Sequence, residues 1–154
     1  MESNLPPEDE LALIERAAVA PWIDYAPAPW WYVPSAGLIA GTLVFVLGER
    51  ETLPSVWYVL ALLVVVMLIG AWIGAAMSRQ GAVPRLRSAP PEFVSAVRAY
   101  FVGCVVLLTA VVTVFFAIGS RLAAIVAALG VAGGLYLHER RYAAAAEVVR
   151  RRVA

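Results

Sequence analysis

Few side chains here could act on a substrate. The chain has a single cysteine, Cys104, and a single histidine, His138. A thiol becomes a nucleophile when an imidazole or equivalent base stands within hydrogen-bond reach. Cys104 lies in the middle of one apolar run, whereas His138 follows the end of another. The sequence therefore predicts that the two do not meet. Ser35, Thr42, Thr109 and Thr113 also fall on apolar stretches, and the hydroxyls of Thr109 and Thr113 are expected to bond back to a carbonyl one turn earlier. One cysteine makes no intrachain disulfide, one histidine cannot hold a haem from both sides, and no Cys, His, Asp or Glu group has metal-ligand spacing. The glycines lie on helix faces or ends, not in a phosphate-binding turn. The expectation is no catalytic residue, no metal, no cofactor and no enzymatic activity.

The remaining chemistry is ionic, and it lies outside the apolar runs. All 12 basic residues are Arg. A candidate basic face comprises Arg79, Arg85, Arg87, Arg98, Arg140, Arg141, Arg150, Arg151 and Arg152. Arg150 to Arg152 could contact lipid phosphate or nucleic acid. A topology signal at a solvated helix end is the better reading, and no nucleic-acid partner is expected. Within the apolar runs there is no carboxylate, His or Arg, the groups by which proton-coupled transporters work at membrane depth. That absence argues against a proton-coupled exporter. A passive pore or a lipid-handling surface needs no such group.

These residues are positioned by the apolar runs. Apolar residues make up 62% of the 154-residue chain and mean hydropathy is +0.81, so lipid is the expected solvent for most of it. Four runs stand out, 31–47, 54–77, 100–118 and 122–137. Roughly 20 residues at about 1.5 Å each cross a hydrocarbon core of roughly 30 Å. The second and third reach easily, and the first and fourth need their flanks. Pro34, Pro54 and Pro91 mark helix starts, and Gly48 and Gly119 mark ends where a left-handed residue closes the last turn. The links after Gly48 and Gly119 are too short for anything but antiparallel neighbours. The predicted fold is an all-α integral membrane protein, four transmembrane helices arranged as two antiparallel hairpins, with helical extensions at both ends.

Orientation follows from the arginines. With four spans, Arg16 joins the nine of the basic face on one side, leaving only Arg50 and Arg121 on the other. Ten against two places both termini in the cytoplasm. The all-Arg basic set with abundant Ala and Val points to a high-GC bacterium and its cytoplasmic (inner) membrane. Trp22, Tyr25, Trp30, Trp31 and Tyr32 are expected as interface anchors on the cytoplasmic side, with Trp57 and Tyr58 on the other. No cleavable signal is expected, because the first thirty residues are acidic.

Association in lipid depends on close packing, and small residues four apart let backbones approach. Gly37 with Gly41, Gly70 with Gly74, and Gly130 with Gly134 carry this spacing. Their expected use is packing within one chain, with oligomerisation as the alternative.

The extensions divide the chain into 1–30, an acidic tail with a short amphipathic helix and an aromatic interfacial segment; 31–137, the transmembrane domain; and 138–154, a basic helical tail. The first helix is expected from Glu8 to Ala20, ended by Pro21, with an extended stretch from Trp22 to Pro34. Gly81 and Pro84 mark a loop, and the helix from Pro91 should run on into the third span. The acidic tail has two readings. It either folds back, setting Glu8, Asp9, Glu10 and Glu15 against Arg85, Arg87 and the C-terminal arginines while Leu11 and Ile14 pack on Phe93 or Val149, or it stays solvated.

The functional expectation is a non-enzymatic accessory or structural protein, with the bilayer and a membrane-protein partner or a second copy as its partners. The alternative is a small oligomeric channel or lipid-handling transporter. Topology offers the first test. Fusions of a reporter active only in the cytoplasm should report at Met1, near Arg85 and at Ala154, and stay silent at Arg50 and Ser120; activity at Arg50 would refute the orientation.

Overall fold

The computed structural model describes residues 6–23, 28–77 and 90–153, and every regular element in it is a helix. Tyr25, Gly81, Pro84, Arg79, Arg85 and Arg87 lie outside the described residues, as do the side chains of Glu8, Asp9 and Glu15. The order is α1 (Pro7–Ile23), α2 (Tyr32–Gly48), α3 (Ser55–Met77), α4 (Pro91–Ala117) and α5 (Ser120–Val153). Three of these are long and apolar enough to cross a membrane: Ser55–Ala75, Pro91–Ala117 and Ser120–Val153. The fourth apolar helix, α2, has 17 residues, about 25 Å.

Two helices outrun the apolar stretches. α4 starts at Pro91, whose missing N–H costs nothing at a first turn, and continues unbroken through residue 100. α5 has 34 residues, about 50 Å, and contains no proline to stop it. Between them the chain reverses at Gly119, the one glycine with positive φ among the described residues, +128°. Gly119 N–H reaches back to the Val114 carbonyl at 3.1 Å, and the Gly119 carbonyl accepts from Ala123 N–H at 3.2 Å. Gly48 was expected to use the same left-handed geometry and does not. It needs to be Gly because any Cβ there would collide with the Ser120 side chain.

α5 is the hub. Among the described residues, α2 and α4 each pack along α5 without a backbone approach to each other, α3 packs on α2 alone, and α1 packs on α5. The four apolar helices thus form an open row, α3–α2–α5–α4, and not a closed bundle. Little of the described apolar surface is hidden inside the chain: of the large α3 side chains among the described residues, only Val65 is buried. Leu60, Leu63, Met67 and Leu68 of α3 and Phe101, Val105 and Leu108 of α4 are exposed.

The tightest seam joins α2 to α5. A Cβ at Gly37 would stand 2.5 Å from the Ala128 carbonyl oxygen and 2.9 Å from the Ala132 methyl; at Gly41 it would stand 2.9 Å from both the Ala124 carbonyl oxygen and the Ala128 methyl. Alanines at 124, 128 and 132 form a stripe one turn apart, and the two glycines press against it. The other glycine pairs behave differently. Gly130 lies under the Leu107 side chain of α4, but at Gly70, Gly74 and Gly134 a Cβ would meet no atom of another helix among the described residues within 4 Å. The expected use of Gly70 and Gly74 for packing within the chain is therefore corrected: α3 leans on α2 by another face, and its glycine face is open.

That face includes neither Tyr32 nor Trp72. Their rings stack at 4.6 Å, and Trp72 Nε1–H donates to Ser35 Oγ at 3.1 Å while Ser35 donates to the Tyr32 carbonyl at 3.0 Å. This small polar and aromatic lock ties the end of α3 to the start of α2. Substitution of the glycines separates the two roles. Gly37→Leu or Gly41→Leu should overpack the α2–α5 seam and lower the melting temperature in detergent by roughly 3 to 10 °C. Gly70→Leu with Gly74→Leu should leave it within about 1 °C, because neither leucine meets a neighbouring helix.

Candidate functional site

The row carries its distinctive side chains at one end, where α1, the start of α4 and the last turns of α5 converge. Val19 and Trp22 of α1, Phe93 of α4, and Ala146 and Val149 of α5 form a buried apolar knot, edged by Ile23, Tyr142, Ala145 and Val153. Phe93 and Val149 are wholly enclosed. Phe93 touches Trp22 at 5.3 Å and Tyr142 at 4.7 Å between ring centroids, both tilted, within the range of aromatic contacts. Burying a side chain such as Phe93 stabilises by about 1.5 to 3 kcal/mol.

The acidic helix therefore docks, but through different residues from those expected. Leu11 and Ile14 are exposed, and the contact is made a turn further on by Val19 and Trp22. Trp22, expected as an interface anchor, is 3% exposed in the knot. Pro21 does not end the helix, which runs on to Ile23. The reason lies in the last turn, whose unsatisfied carbonyls find donors outside α1. Tyr142 O–H donates to the Trp22 carbonyl at 3.2 Å and Arg150 Nη2 donates to the Ile23 carbonyl at 2.6 Å. Tyr142 stands beyond the uninterrupted apolar run of α5; burial, and then the Glu139 charge, raise its pKa above the ordinary value, so the hydroxyl keeps the proton it donates.

The exchange is reciprocal. Arg16 of α1 donates from Nε to the Val153 carbonyl at the end of α5, 2.8 Å away. Each of two antiparallel helices thus sends an arginine to the C-terminal carbonyls of the other, where the helix dipole favours a cation. Arg152 adds a 2.5 Å pair to Glu92 at the start of α4, and Arg151 pairs with Glu147 one turn back at 2.9 Å. The proposed basic face is thus divided. Arg150, Arg151 and Arg152 are engaged within the chain, Arg140 stands 5.8 Å over the Tyr136 ring, and Arg98 and Arg141 are exposed. Arg141 makes no hydrogen bond or ion pair among the described residues.

Between α4 and α5, just below the knot, runs a groove of about 270 Å³. Tyr100, Gly103, Cys104 and Leu107 line it from α4, and Gly130, Gly134, His138 and Arg141 from α5. Cys104 and His138, which are not expected to meet, border one space. Tyr100 and His138 stand nineteen residues either side of the Gly119 turn, and their rings meet at 4.7 Å; Cys104 lies one turn further in. Equal counting from a tight turn is the signal that would have paired them. Among the described residues no hydrogen bond joins Cys104 to His138, and the His138 Nδ1 is buried without a partner. The site is an apolar slot with an aromatic ring and a cation at one end. It has the parts to hold an amphiphile.

No known protein family, curated protein or solved structure matches the chain. The geometry alone must carry a functional reading. For the knot it predicts that Trp22→Ala or Phe93→Ala, each removing about 3 to 5 kcal/mol of packing, releases α1 and speeds tryptic cleavage at Arg16. Leu11→Ser with Ile14→Ser should leave the cleavage rate unchanged, since neither side chain reaches the knot.

Proposed function

We propose that this chain is a four-span, non-enzymatic accessory protein of the cytoplasmic membrane, with both termini cytoplasmic, that offers an open helix edge to a membrane-protein partner or a second copy. What supports the reading is the open row. Among the described residues, α3 is held by α2 alone and Gly70 and Gly74 face no neighbouring helix or side chain. In lipid such a small-residue face lets another backbone come close, which is where helix association draws its energy. The arginine asymmetry supports the orientation, and the shorter α2 spans in this reading with the aromatic residues before it at the interface. A channel or lipid-handling role is the second reading; the α4–α5 groove favours the lipid-handling form of it.

Affinity purification from native membranes tests the proposal. The wild-type chain should bring down one membrane protein in constant ratio, or a differently tagged copy of itself. The Gly70→Leu, Gly74→Leu variant should lose it while melting as the wild type does. A solitary chain in mild detergent and in nanodiscs, or a partner retained by the variant, would sink the reading.

A further inference from the structure

We propose that the α4–α5 groove is a binding site for one anionic phospholipid, with an acyl chain laid in the slot and the phosphate held by Arg141 and His138. The site does not depend on a partner docking at α3, which lies at the far edge of the row.

Three observations fit this ligand and no smaller one. The first is length. The slot follows α5 from Gly130 to Arg141, eleven residues or about 16 Å, which is about half of a roughly 30 Å hydrocarbon core. That is the reach of a chain in a single leaflet. The second is the wall. Gly103 and Gly134 have no atom within 4 Å of a Cβ position, so a chain can lie against bare backbone, with Leu107, Val131 and Leu135 beside it. A free phosphate has no use for such a wall.

The third is charge. Other arginines at this end of α5 are taken by Ile23, Glu147 and Glu92, whereas Arg141 stands at the mouth of the slot with no acid on it among the described residues. One turn below, the His138 ring lines the same slot; its Nδ1 is buried toward the chain, so the edge that can meet a ligand is the other ring nitrogen. Glu92 borders the shallow recess on the other side of Arg141, but its Oε1 is engaged by Arg152 and its Oε2 is buried within the chain without a partner, so neither oxygen reaches Arg141. A cation and a ring nitrogen at the end of a one-leaflet apolar slot match a phosphodiester on an acyl chain.

Native mass spectrometry of the full chain, released from detergent containing equal phosphatidylglycerol and phosphatidylcholine, tests the site. The wild type should retain one phosphatidylglycerol with a roughly fivefold or greater preference, the effect of one arginine near an anionic lipid. Arg141→Gln should abolish the preference and Arg140→Gln should keep it. Gly134→Leu and, as a second way to fill the slot, Gly103→Leu should remove the bound lipid altogether. Inorganic phosphate at the same concentration should not displace it. Equal retention of the two lipids by the wild type, an undiminished preference in Arg141→Gln, or displacement by phosphate would overturn the proposal.

Discussion

The structure depends on how closely α2 can approach α5. Between two helices in hydrocarbon there is no water to expel, so attraction comes from many weak contacts that decay within an ångström of the ideal distance. Gly37 and Gly41 allow the α2 backbone to rest on the alanines at 124, 128 and 132, with carbonyl oxygens where a side chain would otherwise stand. α4 reaches α5 from elsewhere through Leu107 over Gly130, and among the described residues α3 is joined only to α2. Loosening the α2–α5 seam would cut the row into two pairs of helices.

A different physics holds the polar end. There the α1 helix is fixed by burial of Trp22 and Val19 against Phe93 and Val149, the ordinary hydrophobic effect, and by hydrogen bonds to backbone carbonyls that a helix end leaves free. Charges contribute less than their number suggests. The Arg151–Glu147 pair is exposed and worth a few tenths of a kcal/mol. The arginines matter here mainly as donors with long reach, closing the ends of two helices that run in opposite directions.

Much of the fold could be read from the residues, since long runs without charge leave little choice but apolar helices, and prolines and Gly119 mark where they begin and turn. Gly37 and Gly41 were legible as a packing face. Their partner was not, because an alanine stripe does not stand out in a chain so rich in alanine. The glycines of α3 carry the same spacing with no helix against them: spacing describes what a face permits, not whether something covers it. Trp22 was misplaced for a related reason. Its ring is amphipathic and suits an interface or a core equally, and only the position of Phe93, seventy-one residues away, decides between them. Likewise Pro21 is a helix breaker in isolation, and donors from α5 offset the loss.

The unbroken length of α5 has a mechanical consequence. About 50 Å of helix exceeds the apolar thickness by some 20 Å, so its last turns, with the knot and α1 clamped to them, stand out as a rigid arm. A rod cannot adjust its tilt at one end only. When a helix leans to match a thinner or thicker bilayer, a change of about 10° swings the tip of a 20 Å arm by about 3 Å. Two hydrogen-bonded helix ends and an aromatic cluster travel with it as one body. The position of the acidic helix is thus tied to the direction of α5 through contacts made, among the described residues, only with its last turns and the start of α4.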